Sequence, residues 1–65
     1  MTLDHIDKAI LRFLIQYNGW TTANYISASL GISWITVARH LEVLEYEGYV
    51  IKGTKDKLFY WRVNR

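Results

Sequence analysis

The chain has no cysteine and no proline among its 65 residues. Without cysteine there are no disulfides, thiolate metal sites or thiol nucleophiles, which suits a reducing compartment. The lack of proline carries no functional message. Histidine is scarce too, limited to His5 and His40, and the carboxylates are expected mainly on solvent-facing helix positions. Their spacing suggests neither a metal cage nor a paired acid and base, so no catalytic residue, metal or cofactor is expected and the chain reads as a non-enzyme. No apolar run approaches the ~18 residues of a membrane span. The beginning of the chain, with Asp4 and Asp7, lacks the charge pattern of a signal peptide. An intracellular, cytoplasmic protein without membrane contact is therefore expected. Internal repeats, low-complexity segments and linkers are also missing, which leaves residues 1–65 as a single domain.

What is present argues for a folded chain. Hydrophobic residues make up 51% and aromatics 15%, too rich for intrinsic disorder. A chain this short buries only about 60% of the surface it exposes when unfolded, so its core is small and its stability modest. Charge is unevenly distributed. Residues 52 to 65 hold Lys52, Lys55, Lys57, Arg62 and Arg65 against Asp56, a net +4, whereas the first 51 residues are net −2. A cationic end of this kind suits phosphate binding and also serves ordinary solubility.

The most strongly specified stretch is residues 31 to 50, GISWITVARHLEVLEYEGYV. At 100° per residue, Val37, Leu41 and Leu44 fall within roughly 60° of one another and form a stripe that must be buried, with Ile32 in the same series. Ile35, Arg39, Glu42, Val43 and Tyr46 occupy the free face, with Thr36 and His40 on its flank. Ser33 stands at the N-cap position and Gly48 where a left-handed helix stop is needed. Ahead of this helix, Asp4 is expected to cap a first helix that buries Ile6, Ala9, Ile10, Phe13, Leu14 and Tyr17 and ends at Asn18 and Gly19, with Asp7 placed favourably for the helix dipole. Trp20 and Thr21 form a short extended link with strand character. Thr22 caps a short second helix that buries Ala23, Ile26 and Leu30, with Tyr25 at its edge, and Gly31 makes the sharp turn into the third helix. The period then changes to two. Residues 49 to 51 form a strand, Gly53, Thr54, Lys55 and Asp56 a tip, and residues 58 to 63 a returning strand whose Phe59, Trp61 and Val63 share a face and complete the core.

The order of helices at about 4–18, 22–30 and 33–47 followed by a hairpin at about 49–63 makes an α+β domain, mainly α. With GIS, TVARHLEVLE and EGYV in register, and LDHIDKAILRFL as a first helix, it resembles the winged helix-turn-helix domains of bacterial and archaeal transcription regulators. That resemblance implies a sequence-specific double-stranded DNA-binding protein of archaeal, viral or bacterial origin, nucleoid-associated, with its third helix in the major groove and its wing on the phosphate backbone. Position by position, it places Trp34, Ile35 and Arg39 at base edges. It places Thr22, Ser33, Thr36, His40, Lys52, Lys55 and Lys57 at phosphates. Arg39 can donate two hydrogen bonds to guanine, and small hydroxyls at helix starts are natural phosphate ligands.

One domain offers few contacts, so a homodimer on a two-fold site is expected. Trp34, Ile35, Val43 and Glu42 depart from the polar or basic residues common in such regulators. They define a second reading, a winged-helix module that binds a protein partner through its third helix. A third reading, single-stranded nucleic acid stacking on Trp and Tyr, needs exposed rings, and most rings are expected in the core. Glu42, Glu45 and Glu47 read as solvated charge.

Overall fold

The computed structural model describes residues 2–65. Three helices, α1 (His5–Tyr17), α2 (Ala23–Leu30) and α3 (Trp34–Tyr46), precede two antiparallel strands, β1 (Val50–Lys55) and β2 (Leu58–Val63). This is a winged helix-turn-helix.

Each helix end has a local cause. Asp4 accepts a hydrogen bond from the Asp7 amide at 2.8 Å while the Asp7 carboxylate accepts one from the Asp4 amide at 3.1 Å, a reciprocal capping box. The Asp7 amide bond, more than the nearby His40, holds the Asp4 carboxyl below its ordinary value of 3.8. Because the folded value is depressed, the stabilisation is present above that range and lost as the pH falls through it. Asp4→Ala should therefore lower the melting temperature at neutral pH, and the gap from the native chain should narrow under acid. A gap independent of pH would show that the Asp4 charge contributes nothing. Asn18 and Gly31 close α1 and α2 in the left-handed region, with φ of 56° and 67°, and Gly48 follows α3 with φ of 88°.

The core is the meeting point of all the elements. Ile10, Leu14, Ile26, Val37, Leu41, Leu44, Val50, Trp61 and Val63 are buried, with Ile6, Phe13, Ala23, Leu30 and Ile32 packed around them. The third-helix stripe inferred from periodicity is therefore buried as expected. The extended link is also present, and Thr21 exchanges two backbone hydrogen bonds with Trp61, at 2.9 and 2.7 Å. That bridge fastens the root of the wing to the α1–α2 connection.

Four expectations are corrected. The wing does not turn at Gly53. Its strands continue to a two-residue turn at Asp56 and Lys57, both at positive φ, the geometry whose twist matches a tight hairpin. Gly53 lies inside β1 because the Trp20 ring packs over it, and a Cβ there would come within 3.0 Å of that ring. Phe59 does not complete the core. It pairs with Thr54 near the far end of the wing and is 54% exposed. Tyr17 is likewise exposed, forming an aromatic cluster with Phe13 and Tyr25 at centroid distances of 5.7–6.0 Å. Most rings, in fact, sit at the surface. Trp61 is buried, whereas Trp20, Trp34, Tyr25, Tyr46 and Tyr49 are exposed. A domain with so few layers has too little interior for ten aromatic side chains.

Candidate nucleic-acid interface

The outward strip of α3 follows from the burial of its other side. With Val37, Leu41 and Leu44 fully enclosed, a 3.6-residue period leaves Ile35, Arg39, Glu42, Val43 and Tyr46 outside, and all are exposed. Trp34 at the start of the helix is 52% exposed and Ile35 56%. The three residues expected at base edges, Trp34, Ile35 and Arg39, are thus all exposed. Gly31 and the short Ile32–Ser33 link bring the start of α3 close to α2, and the helix then passes between two flanks.

On one flank is the wing. A cleft of about 510 Å³ lies between them, lined by Thr22, Ala23 and Asn24 from the start of α2, by Trp34, Ala38 and Glu42 from α3, and by Lys57, Leu58, Phe59 and Trp61 from the wing. Thr22 caps α2 by accepting from the Tyr25 amide at 3.1 Å, and it keeps a hydroxyl proton to donate. Ser33 occupies the N-cap position of α3, but its side chain makes no capping hydrogen bond. The expected cap is corrected here, since its hydroxyl remains exposed and makes no hydrogen bond among the described residues. Thr36 is half-buried.

Lys52 differs from the expectation of a phosphate contact. Its ammonium lies 3.6 Å from Glu42 Oε1 and 3.9 Å from Glu45 Oε1, and sits over the Phe59 and Trp61 rings at 4.9 and 5.6 Å from their centroids. The antiparallel register explains this, because Lys52 pairs with Trp61 and therefore points to the core side of the wing, toward α3. Glu42 and Glu45 are accordingly ion-paired and not merely solvated. Lys55 and Lys57, at the far end, are exposed and make no ion pair among the described residues.

On the opposite flank, His40 is also turned away from its expected role. Its Nδ1 lies 2.6 Å from Asp7 Oδ1 and 3.8 Å from Asp4 Oδ1, so the ring joins α3 to the start of α1. Asp7 is itself buried, which no helix-dipole argument anticipates. Asp4, Asp7 and His40 bring one ligand atom each within 4.8 Å of one another, a grouping that a metal could use. Sequence spacing concealed it, since His40 is 33 positions from Asp7 and only the α1–α3 packing unites them. Asp4 Oδ1 and Asp7 Oδ2 already serve the capping box, and Asp7 Oδ1 the imidazole. Arg39, His40 and Val43 line a shallow cleft of about 200 Å³ with Thr2, Asp4 and Asp7, which places Arg39 toward the α1 side of the strip.

The wing's outer face carries a further element that sequence reading missed. Trp20 packs over Gly53, the Arg62 guanidinium lies 5.6 Å from its centroid, and Trp20, Gly53, Thr54, Lys55 and Tyr60 line a cleft of about 400 Å³. The glycine within the strand was the available signal, since a strand glycine often marks the close approach of another group.

Comparison with known proteins agrees with this geometry. Residues 3–51 match the family model described as winged helix-turn-helix DNA-binding. Among solved structures, the chain is similar to the Zalpha domain of Carassius auratus PKZ in complex with Z-DNA, at 32% identity and a TM-score of 0.79 over 88% of this chain and 89% of that one. It is similar to the apo-Zalpha of zebrafish PKZ, at 30% identity and a TM-score of 0.83 over 92% of each chain. It is also similar to the Cyprinid Herpesvirus3 ORF112-Zalpha, a structure of the binding mode to Z-DNA, at 25% identity and a TM-score of 0.80 over 97% and 98%. No curated protein sequence matches the chain. Among the described residues, no helix is long and apolar enough to cross a membrane.

Proposed function

The chain belongs to the winged helix-turn-helix DNA-binding family, and from that premise we propose that it is a sequence-specific double-stranded DNA-binding protein that regulates transcription. In this reading α3 enters the major groove and the wing follows the phosphate backbone. It acts by binding and not by catalysis, and its place is intracellular, on the nucleoid. One observation carries the reading: Trp34, Ile35 and Arg39 are all exposed on the outward side of α3, beside a wing whose far end presents Lys55 and Lys57 without ion-pair partners among the described residues. Arg39 supplies a bidentate donor for guanine, and Ile35 an apolar contact for a thymine methyl. Ser33 and Thr22 bring hydroxyls to the two helix starts, where they can donate to phosphate oxygens. Two copies on a two-fold site would supply the contacts that a single domain lacks.

The second reading is a protein-docking module, favoured by the exposed Trp34, Ile35, Val43 and Tyr46 and by the pairing of Lys52 with acids. Salt separates the two. Fluorescence anisotropy on labelled duplex DNA should show affinity falling steeply between two salt concentrations, because each phosphate neutralised releases counterions, and should saturate at two chains per duplex. Lys55→Ala should weaken all sequences alike and reduce the log–log salt slope by about 1. Absence of duplex binding at low salt would favour docking. Because the PKZ Zalpha neighbour is solved on Z-DNA, left-handed duplex belongs in the same titration, and a preference for it would replace the major-groove arrangement.

A further inference from the structure

An acid on a helix that approaches DNA demands an explanation. Glu42 lies two turns beyond Trp34 and one beyond Ala38 on the wing-facing side of the strip, its side chain 56% exposed, and it lines the cleft between α3 and the wing. Lys52 holds Oε1 at 3.6 Å, but the same ammonium also serves Glu45, so the cluster of Glu42, Glu45 and Lys52 keeps one net negative charge. Beside a phosphate backbone that charge is repelled unless the carboxylate gains a donor. A carboxylate only accepts, and the donors that duplex DNA offers in its major groove are the exocyclic amino groups of cytosine and adenine. Of these, adenine is best read by a side chain that donates to N7 while accepting from N6, which an ionised carboxylate cannot do. Cytosine asks only for an acceptor. The small Ala38 side chain, one turn earlier, leaves space for a base edge to come close.

We infer that Glu42 is a specificity-determining residue that accepts a hydrogen bond from the N4 amino group of a cytosine in the major groove, with Lys52 as the positioning residue that holds the carboxylate and offsets its charge. The inference rests on the DNA-binding reading and sharpens it. Lys52 in this arrangement acts through Glu42, clamped between the two acids and the Phe59 and Trp61 rings.

The test is selection from a randomised duplex pool with the native chain, Glu42→Gln and Lys52→Met, followed by anisotropy on duplexes differing only at the selected position. The native chain should require cytosine at one position and discriminate against thymine there by about 5–150-fold. Replacing that cytosine by its analogue lacking the N4 amino group should abolish the preference. Glu42→Gln, whose carboxamide both donates and accepts, should admit adenine beside cytosine at that position while keeping or raising affinity for unrelated duplexes, and Lys52→Met should weaken binding to every duplex and also reduce the discrimination for cytosine. Glu42 is exposed, so an unchanged melting curve for Glu42→Gln is expected to accompany the result. If Glu42→Gln binds all duplexes more tightly with the selected base unchanged, or if the native chain selects another base there, this role for Glu42 is overturned and the DNA reading stands. If the native chain binds no right-handed duplex, both fall together.

Discussion

Leu41→Ala is expected to cost about 2–5 kcal/mol of folding stability, the range for emptying a fully buried leucine site. Leu41 is completely enclosed, at the centre of the α3 stripe, among Val37, Leu44 and the core side chains of α1, α2 and the wing. A 65-residue domain has few such residues, and natural domains carry only about 5–15 kcal/mol in total, so this single deletion should remove a large part of the stability. Urea denaturation followed by tryptophan fluorescence should show a lower midpoint with the slope unchanged. A loss below about 1 kcal/mol would mean that the site collapses around the missing atoms and that Leu41 is not central to the packing.

Arg39→Ala should do the reverse. Arg39 is exposed and makes no ion pair among the described residues, so its truncation leaves no buried charge and should barely move the melting temperature. Binding to a preferred duplex should weaken by about 1–3 kcal/mol, and discrimination at one base pair should relax. This follows from the two parallel donors of a guanidinium, which match the two acceptors on a guanine edge. Equal affinity of Arg39→Ala and the native chain for that duplex would remove Arg39 from the groove. Together with Leu41→Ala, two positions along in the same helix, the pair assigns the two faces of α3 by independent readouts.

How legible each feature was depended on how local its cause is. The three helices, their order and the returning strand at residues 58–63 were readable because capping residues, left-handed stops and a buried stripe act within a few positions of one another. A glycine usually marks a turn, which points to a tip at Gly53, whereas Gly53 instead makes room for Trp20, 33 residues earlier in the chain. Only the alternation of the strand points Phe59 to the core. Alternation identifies a shared face but not where along a hairpin the core ends, and Phe59 lies beyond that end.

For the candidate interface, periodicity in the sequence determined which side of α3 is free, because burying Val37, Leu41 and Leu44 leaves Ile35, Arg39 and Glu42 outside whatever the helix packs against. The sequence also determined that the wing is cationic. Which of those charges remain available was decided only by tertiary structure. His40 and Asp7 meet because α1 crosses α3, and Lys52 meets Glu42 and Glu45 because the register of the wing turns it inward. The physical reason is that a charge is redirected by an opposite charge a few ångströms away in space. Such neighbours come from helix crossings and strand register, which residue order alone does not encode.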